Sequence, residues 1–246
     1  GFSEIFTNSI TNAAYFGEAE LNKSVRLLNN LSAVHNIMRP SMLETGLESV
    51  AYNLNRKNND LKFFEFGKTY KKEDTGKYIE NEHLCLYITG SRNAASWREK
   101  AQPADIYYLK GVVANLFELL GQKDVTFETG NNEKLRNALL VKAGNDTIAE
   151  LGAVSKHELN RFDIKQDVLF ADVRWKNIFE KNTSKPIAFA PLPNQLPVYR
   201  DLAMVVPKAL AYREVEAAIG KIRLDKLRSL QLFDVKSSAQ IKNRWQ

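Results

Sequence analysis

The stretch Met38–Tyr70, MRPSMLETGLESVAYNLNRKNNDLKFFEFGKTY, leaves this chain few ways to fold. Ser41 and Glu44 stand three residues apart as a capping box, in which the hydroxyl takes a helical N–H and the carboxylate reaches back to the cap. Pro40, just outside, stops the helix from starting earlier. Leu43, Leu47, Val50, Ala51 and Leu54 follow the three-and-four spacing of one apolar helical face. Asn55–Asp60 is a polar turn, and Leu61–Phe66 reads as a strand dense in aromatics. Phe63 falls on one side of that strand and Phe64 and Phe66 on the other, so both faces are expected to be covered. Glu65, inside it, reads either as a buried acid in a site or as a carboxylate paired across a subunit contact. A capped helix feeding a two-sided strand is a packing unit, without nucleophile, acid–base pair or metal cluster.

The 246 residues suffice for one large domain or two, and 44% hydrophobic with 10% aromatic residues fits a folded chain. The single cysteine, Cys85, excludes an internal disulfide framework. It lies in the apolar run His83–Thr89, where a buried thiol acts as a small hydrophobe. No apolar run approaches the roughly 20 residues that span a bilayer, and no signal peptide is visible, so a cytoplasmic setting is expected. The net charge is +6, and its placement says more than its size. From Arg200 onward ten Lys/Arg face five Asp/Glu, a net +5, leaving +1 for residues 1–199. That asymmetry is the footprint of a polyanion-binding module.

Along the chain, Phe2–Thr11 and Val25–Leu28 read as strands, Asn29–Ser32 as a turn, Glu73–Glu82 as a charged surface loop and His83–Thr89 as a strand. Asp105 caps a helix whose buried stripe is Ile106, Leu109, Val113, Leu116 and Leu120, with Gly121 at a left-handed C-cap. Val125–Glu128 and Ala138–Ala143 are strands, and Asn145-Asp146 turns into a hairpin partner, Thr147–Val154. Ser155 and Glu158 form a second capping box. Val168–Arg174 is a strand and Trp175–Glu180 a helical turn. Lys185–Pro197 holds four of the seven prolines, a stiff connector. After it, strand (Leu202–Val206), helix (Tyr212–Ile222) and strand (Leu227–Val235) make half of a split β-α-β unit. The expected division is a core domain over 1–185, a linker over 186–197 and a partial module over 198–246.

Candidates for chemistry are few. His35, His83 and His157 share no metal-ligand spacing, and no phosphate-binding or nucleophile-elbow motif occurs. Trp97 beside Arg98 has the make-up to stack on a base, against the plainer reading that Trp97 anchors its loop to the core. The residues therefore give a mixed fold and a basic tail module without a reaction centre.

Several stretches together resemble the beta subunit of bacterial phenylalanyl-tRNA synthetases. These are Gly1–Ile5 with Thr7-Asn8-Ser9; Leu28-Asn29-Asn30-Leu31-Ser32, with Asn30 in place of the family's proline; and Met38–Leu43. Asn53-Leu54-Asn55-Arg56, Phe64-Glu65-Phe66-Gly67, Leu109-Lys110-Gly111 within Asp105–Gly121, Glu150-Leu151-Gly152 and Pro197–Ala203 continue the pattern. The resemblance implies an α+β fold: a class II synthetase-like antiparallel sheet with flanking helices, followed by a partial ferredoxin-like anticodon-binding module. It implies a degenerate copy of a catalytic domain that packs on the alpha subunit in an (αβ)2 assembly. ATP and Mg2+ belong to the holoenzyme and no cofactor to this segment. An arginine-bearing phosphate clamp is missing, so adenylate formation by this chain lacks its charge stabilisation. The subunit contact is expected at Arg39, Leu43, Leu47, Asn53, Asn55, Phe64 and Glu65, and tRNA contact at Arg213, Lys221, Arg223, Lys226 and Arg228; catalytic and metal residues are expected to be none. The family's beta chain is much longer, so a segment of it is expected here, and Lys236–Gln246, with Lys242, Arg244 and Trp245, departs from its pattern. The competing reading is a free-standing synthetase-like regulator; a third is an enzyme in its own right.

Overall fold

A computed structural model describes the chain apart from residues 30, 31, 33, 75, 123, 181–188, 190–195, 223 and 237–246. It divides into two units, Gly1–Ile187 and Ala188–Gln246. In the first, the elements run β1 (Ser3–Glu4), β2 (Ile10–Thr11), α1 (Glu18–Leu21), β3 (Ile37–Met38), α2 (Leu43–Leu54), β4 (Leu61–Lys72), β5 (Tyr78–Thr89), β6 (Ser91–Asn93), β7 (Gln102–Pro103), α3 (Ile106–Leu119), β8 (Val125–Thr129), β9 (Leu135–Ala143), β10 (Asp146–Val154), α4 (Lys156–Arg161), β11 (Val168–Arg174) and α5 (Trp175–Glu180). The second unit contains α6 (Tyr212–Lys221).

Seven strands form one sheet in the order β1-β4-β5-β11-β10-β9-β8. Every pairing is antiparallel except the two-residue parallel contact of β1 with β4, so the sheet is mixed rather than purely antiparallel. Strand alternation gives it two apolar faces. Leu61, Phe63, Cys85, Tyr87, Val168 and Phe170 pack under Leu43, Leu47 and Val50 of α2. Leu84, Leu86, Ile88, Leu169, Ala171 and Val173 pack with Leu109, Val113 and Phe117 of α3. The aromatic strand is covered on both sides, although Phe66 stays 44% exposed against Trp175. Gly46 sits inside α2 because Tyr87 needs its space. A β-carbon there would fall 2.1 Å from the ring, whose hydroxyl donates to the Met42 carbonyl at 2.6 Å.

Local signals decide most of the boundaries. The Asp105 carboxylate accepts from the Tyr108 N–H at 2.8 Å, and Gly121 takes φ +79°, as a left-handed C-cap requires. The α2 start differs from expectation. The Ser41 hydroxyl accepts from Leu43 N at 3.1 Å, but the Glu44 carboxylate turns away from the cap to Lys134 Nζ at 2.8 Å. At α4 likewise, Ser155 caps Glu158 N at 3.3 Å while Glu158 pairs with Arg161 at 3.0 Å. Phe2–Thr11 is broken into β1 and β2, because Thr7 leaves the strand line to bind Glu65. Around Val25–Leu28 only a bridge of Arg26 to Ile37 forms. The expected loop over Glu73–Glu82 is shorter: β5 starts at Tyr78, its exposed charges pairing across the hairpin, as Lys68 with Glu80 at 3.0 Å.

In the second unit the helix is present, but Leu202–Val206 and Leu227–Val235 carry no strand. A strand needs a partner for its backbone groups, and these segments have no partner strand among the described residues. The connector's Pro186, Pro191 and Pro193, along with Asn30, Leu31, Arg223, Lys242, Arg244 and Trp245, lie outside the described residues.

Candidate functional site

The polar groups of the first unit gather on the α2 side of the sheet, in the row Glu65, Cys85, Asp172 and Glu150 across β4, β5, β11 and β10. Glu65 is fully buried. Arg39 Nη1 donates to it at 3.1 Å, the Thr7 hydroxyl lies 2.9 Å from both carboxylate oxygens, and Thr7 N donates at 3.1 Å. Arg39, also buried, donates its Nε to the Lys68 carbonyl at 2.8 Å and Nη1 to the Thr7 hydroxyl at 2.7 Å. Gly67 makes room for this, since a β-carbon there would fall 2.3 Å from Arg39 Nη2. The partner of Glu65 is thus inside the chain, and neither reading offered by the sequence anticipated it. A buried guanidinium with three of its hydrogen-bond directions fixed holds the N-terminal segment to β4; it is not free to meet a phosphate.

Next along the row, His83 Nδ1 lies 2.6 Å from Asp172 Oδ1 and its Nε2 2.8 Å from the Thr69 hydroxyl. A hydroxyl–imidazole–carboxylate chain has the order of a nucleophile triad, but Thr69 is 2% exposed and no substrate atom reaches it. The chain is therefore a structural tie between β4, β5 and β11. Cys85 is buried, and burial, aided by Asp172 and Glu65, pushes its thiol well above the usual range, so it is inert as a nucleophile. Among the described residues no three His, Cys, Asp or Glu side chains gather as a metal site, and no helix is long and apolar enough to cross a membrane.

A second charged cluster escaped the sequence reading. Lys134 Nζ, just before β9, bridges Glu44 at 2.8 Å and Glu20 at 2.7 Å, tying α1 and α2 to the start of that strand. Burial lowers the ammonium pKa, yet the two carboxylates outweigh it and raise the value.

Of the residues expected at a subunit contact, Arg39, Leu43, Leu47 and Glu65 are buried within the unit, and Phe64 packs into the α3-side core. Asn53 is half-buried, its amide donating to the Ser49 carbonyl at 2.9 Å, and Asn55 is exposed. The outer face of α2 is carried by Glu48, Tyr52 and Asn55, with the Arg56 guanidinium 3.3 Å over the Tyr52 ring. Of the expected tRNA contacts, Arg213 and Lys221 lie on α6, Lys226 and Arg228 follow it, and all four are exposed. Trp97, expected to anchor its loop, is instead 96% exposed.

Residues 1–175 match the model of the phenylalanyl tRNA synthetase beta chain CLM domain. The chain belongs to that family. The phenylalanine–tRNA ligase beta subunits of Bacteroides fragilis and Bacteroides thetaiotaomicron are 37% and 38% identical to it, and that of Porphyromonas gingivalis 32%, each over 96% of this chain. The chain spans about 30% of the length of these relatives. In fold it is similar to the pyrrolysyl-tRNA synthetase of Desulfitobacterium hafniense, with a TM-score of 0.56 at 18% identity over 72% of this chain and 62% of that one. The mixed α+β fold of the first unit is thus similar to that of a class II tRNA synthetase.

Proposed function

We propose that this chain is the non-catalytic core of a phenylalanine–tRNA ligase beta subunit, docking the alpha subunit and adding part of the tRNA-binding surface. The observation that carries this reading is what fills the polar face of the sheet. Tyr87 and Phe170 lie under α2, and Arg39, the arginine beside the aromatic strand, is buried against Glu65. A sheet face filled by its own helix, with its buried arginine already paired, offers ATP no charge stabilisation there. The reaction, ATP-dependent attachment of phenylalanine with Mg2+, then belongs to the alpha subunit of an (αβ)2 assembly in the cytoplasm. The outer face of α2, with Tyr52, Asn55 and the adjoining Arg56, suits the alpha contact, while Leu43 and Leu47 hold the helix in place from below. In the second unit, Arg213, Lys221, Arg223, Lys226 and Arg228 suit tRNA phosphates, and α6 with its apolar flanks is read as half of a ferredoxin-like module.

The test is co-expression of the full-length beta chain with the alpha subunit. A stable complex is expected, with phenylalanine-dependent pyrophosphate exchange in the complex and none in the beta chain alone. Tyr52→Glu is expected to loosen the complex while leaving the beta chain folded. A folded beta chain that never captures the alpha subunit would favour a free-standing regulator, and exchange by the beta chain alone would refute the inactive-core reading.

A further inference from the structure

We propose that the loop between β6 and β7, with Trp97 at its tip, is a binding surface for single-stranded RNA on the core unit, separate from the basic second unit. The proposal rests on the reading above, in which the assembly handles tRNA.

Tryptophan brings a large apolar ring, and leaving it in water forfeits one of the largest burial gains available to any side chain. Trp97 is nevertheless 96% exposed. Its loop is not a loose excursion. The Ser96 N–H donates to the Glu99 carbonyl at 2.9 Å, and the Ser96 hydroxyl accepts from Glu99 N at 3.0 Å and Arg98 N at 3.3 Å. The base of the loop is pinned by the β6–β7 pair and by Ala104 N donating to the Gly90 carbonyl at 2.9 Å. A hydrogen-bonded turn thus holds the indole in solvent, an arrangement that lowers the ordering cost of recognition.

Its surroundings select the occupant. Arg98 and Lys100 follow Trp97 in the same exposed turn. Beside the loop base, Lys62 Nζ lies 5.3 Å and Arg92 Cζ 5.9 Å from the Tyr108 ring centroid, and Tyr107, 77% exposed, follows on the first turn of α3. Lys62 and Arg92 also line a cleft of about 320 Å³ that adjoins the loop. Four cations in and beside the loop, against Glu99 inside the turn and Asp60 on the cleft wall, with Trp97 and Tyr107 open to solvent, match a polyanion whose bases stack. A protein partner is the competing occupant, since Trp, Tyr and Arg are also enriched at protein interfaces, but lysine is depleted at their centres and two of the four cations here are lysines. The RNA must be single-stranded, since a paired base offers no free face to an indole.

The test uses the full-length beta chain in complex with the alpha subunit, and a phenylalanine tRNA transcript as probe. Trp97→Ala should weaken tRNA binding by about five- to a hundredfold, the range for loss of one stacked base. Trp97→Phe should keep most of the affinity. Arg98→Glu with Lys100→Glu should weaken binding and lower the slope of log K against log salt by roughly 1.4, two single-strand phosphate contacts. Parent-like affinity of Trp97→Ala overturns the proposal. So does release of the alpha subunit by Trp97→Ala while the remaining intact complex binds tRNA like the parent, which would assign the loop to a protein contact. If the parent complex binds no tRNA at all, the ligase reading fails with it; if the parent binds and the variants match it, this surface alone fails.

Discussion

Arg39 and Glu65 are a buried pair 3.1 Å apart, each also hydrogen-bonded to Thr7. Burying two charges costs several kcal/mol per ion before their attraction is counted, so the pair is worth little as such, whereas stranding one member is expensive. Arg39→Met leaves the Glu65 carboxylate in the core without its cation and is expected to destabilise the protein by about 3–5 kcal/mol. Arg39→Met with Glu65→Leu should recover part of that loss, because the Thr7 hydroxyl keeps Thr45 at 3.1 Å while the Thr7 N–H and the Lys68 carbonyl lose their partners. Thermal denaturation of parent, single and double variants measures both; a single variant as stable as the parent would show that the carboxylate finds water or another donor. The sequence made Glu65 conspicuous as an acid in an aromatic strand, but it could not name Arg39, 26 residues away. Periodicity reports which side of a strand a residue faces, and not what lies above it.

Helix α3 begins where a single side chain says it should. With the Asp105 carboxylate on the Tyr108 N–H, Asp105→Ala should cost about 1 kcal/mol and Asp105→Ser only a few tenths, readable as shifts in a denaturant midpoint; equal loss in both would mean that the cap hydrogen bond does not hold the helix start. Other elements were as legible. Val168–Arg174 and Trp175–Glu180 appear with the expected bounds, because a run apolar apart from Asp172 and Arg174 passes directly into a helical turn. Where expectation failed, distant groups outcompeted a local rule. Glu44 fits a capping box but is bound by Lys134, 90 residues away, and Tyr78–Glu82 has the charge of a loop but pairs as the outer half of a hairpin. Leu202–Val206 and Leu227–Val235 have strand composition without a described partner strand. The placement of Trp97 was illegible for the converse reason: composition favours burial, and only the Ser96 turn reveals that the ring is held out.

For the chain as a whole, the charge excess and the family match lie in different units. The excess of +5 from Arg200 onward lies in the unit Ala188–Gln246, and the family match over residues 1–175 lies in the other. Cys85 turns the larger unit into its own reporter. The thiol is the chain's one cysteine, sits on an interior strand of the seven-stranded sheet, and is held protonated by burial. A disulfide reagent at about pH 8, which attacks the thiolate, should leave the native protein unlabelled and modify one thiol per chain once guanidinium is added. Under native conditions, with reclosing faster than labelling, the rate then reports the fraction of time the sheet is open. In the fast-reclosing regime, the 3–5 kcal/mol lost in Arg39→Met should quicken labelling roughly a hundredfold to a few thousandfold. The same silent atom that rules out thiol chemistry thereby clocks the breathing of the fold.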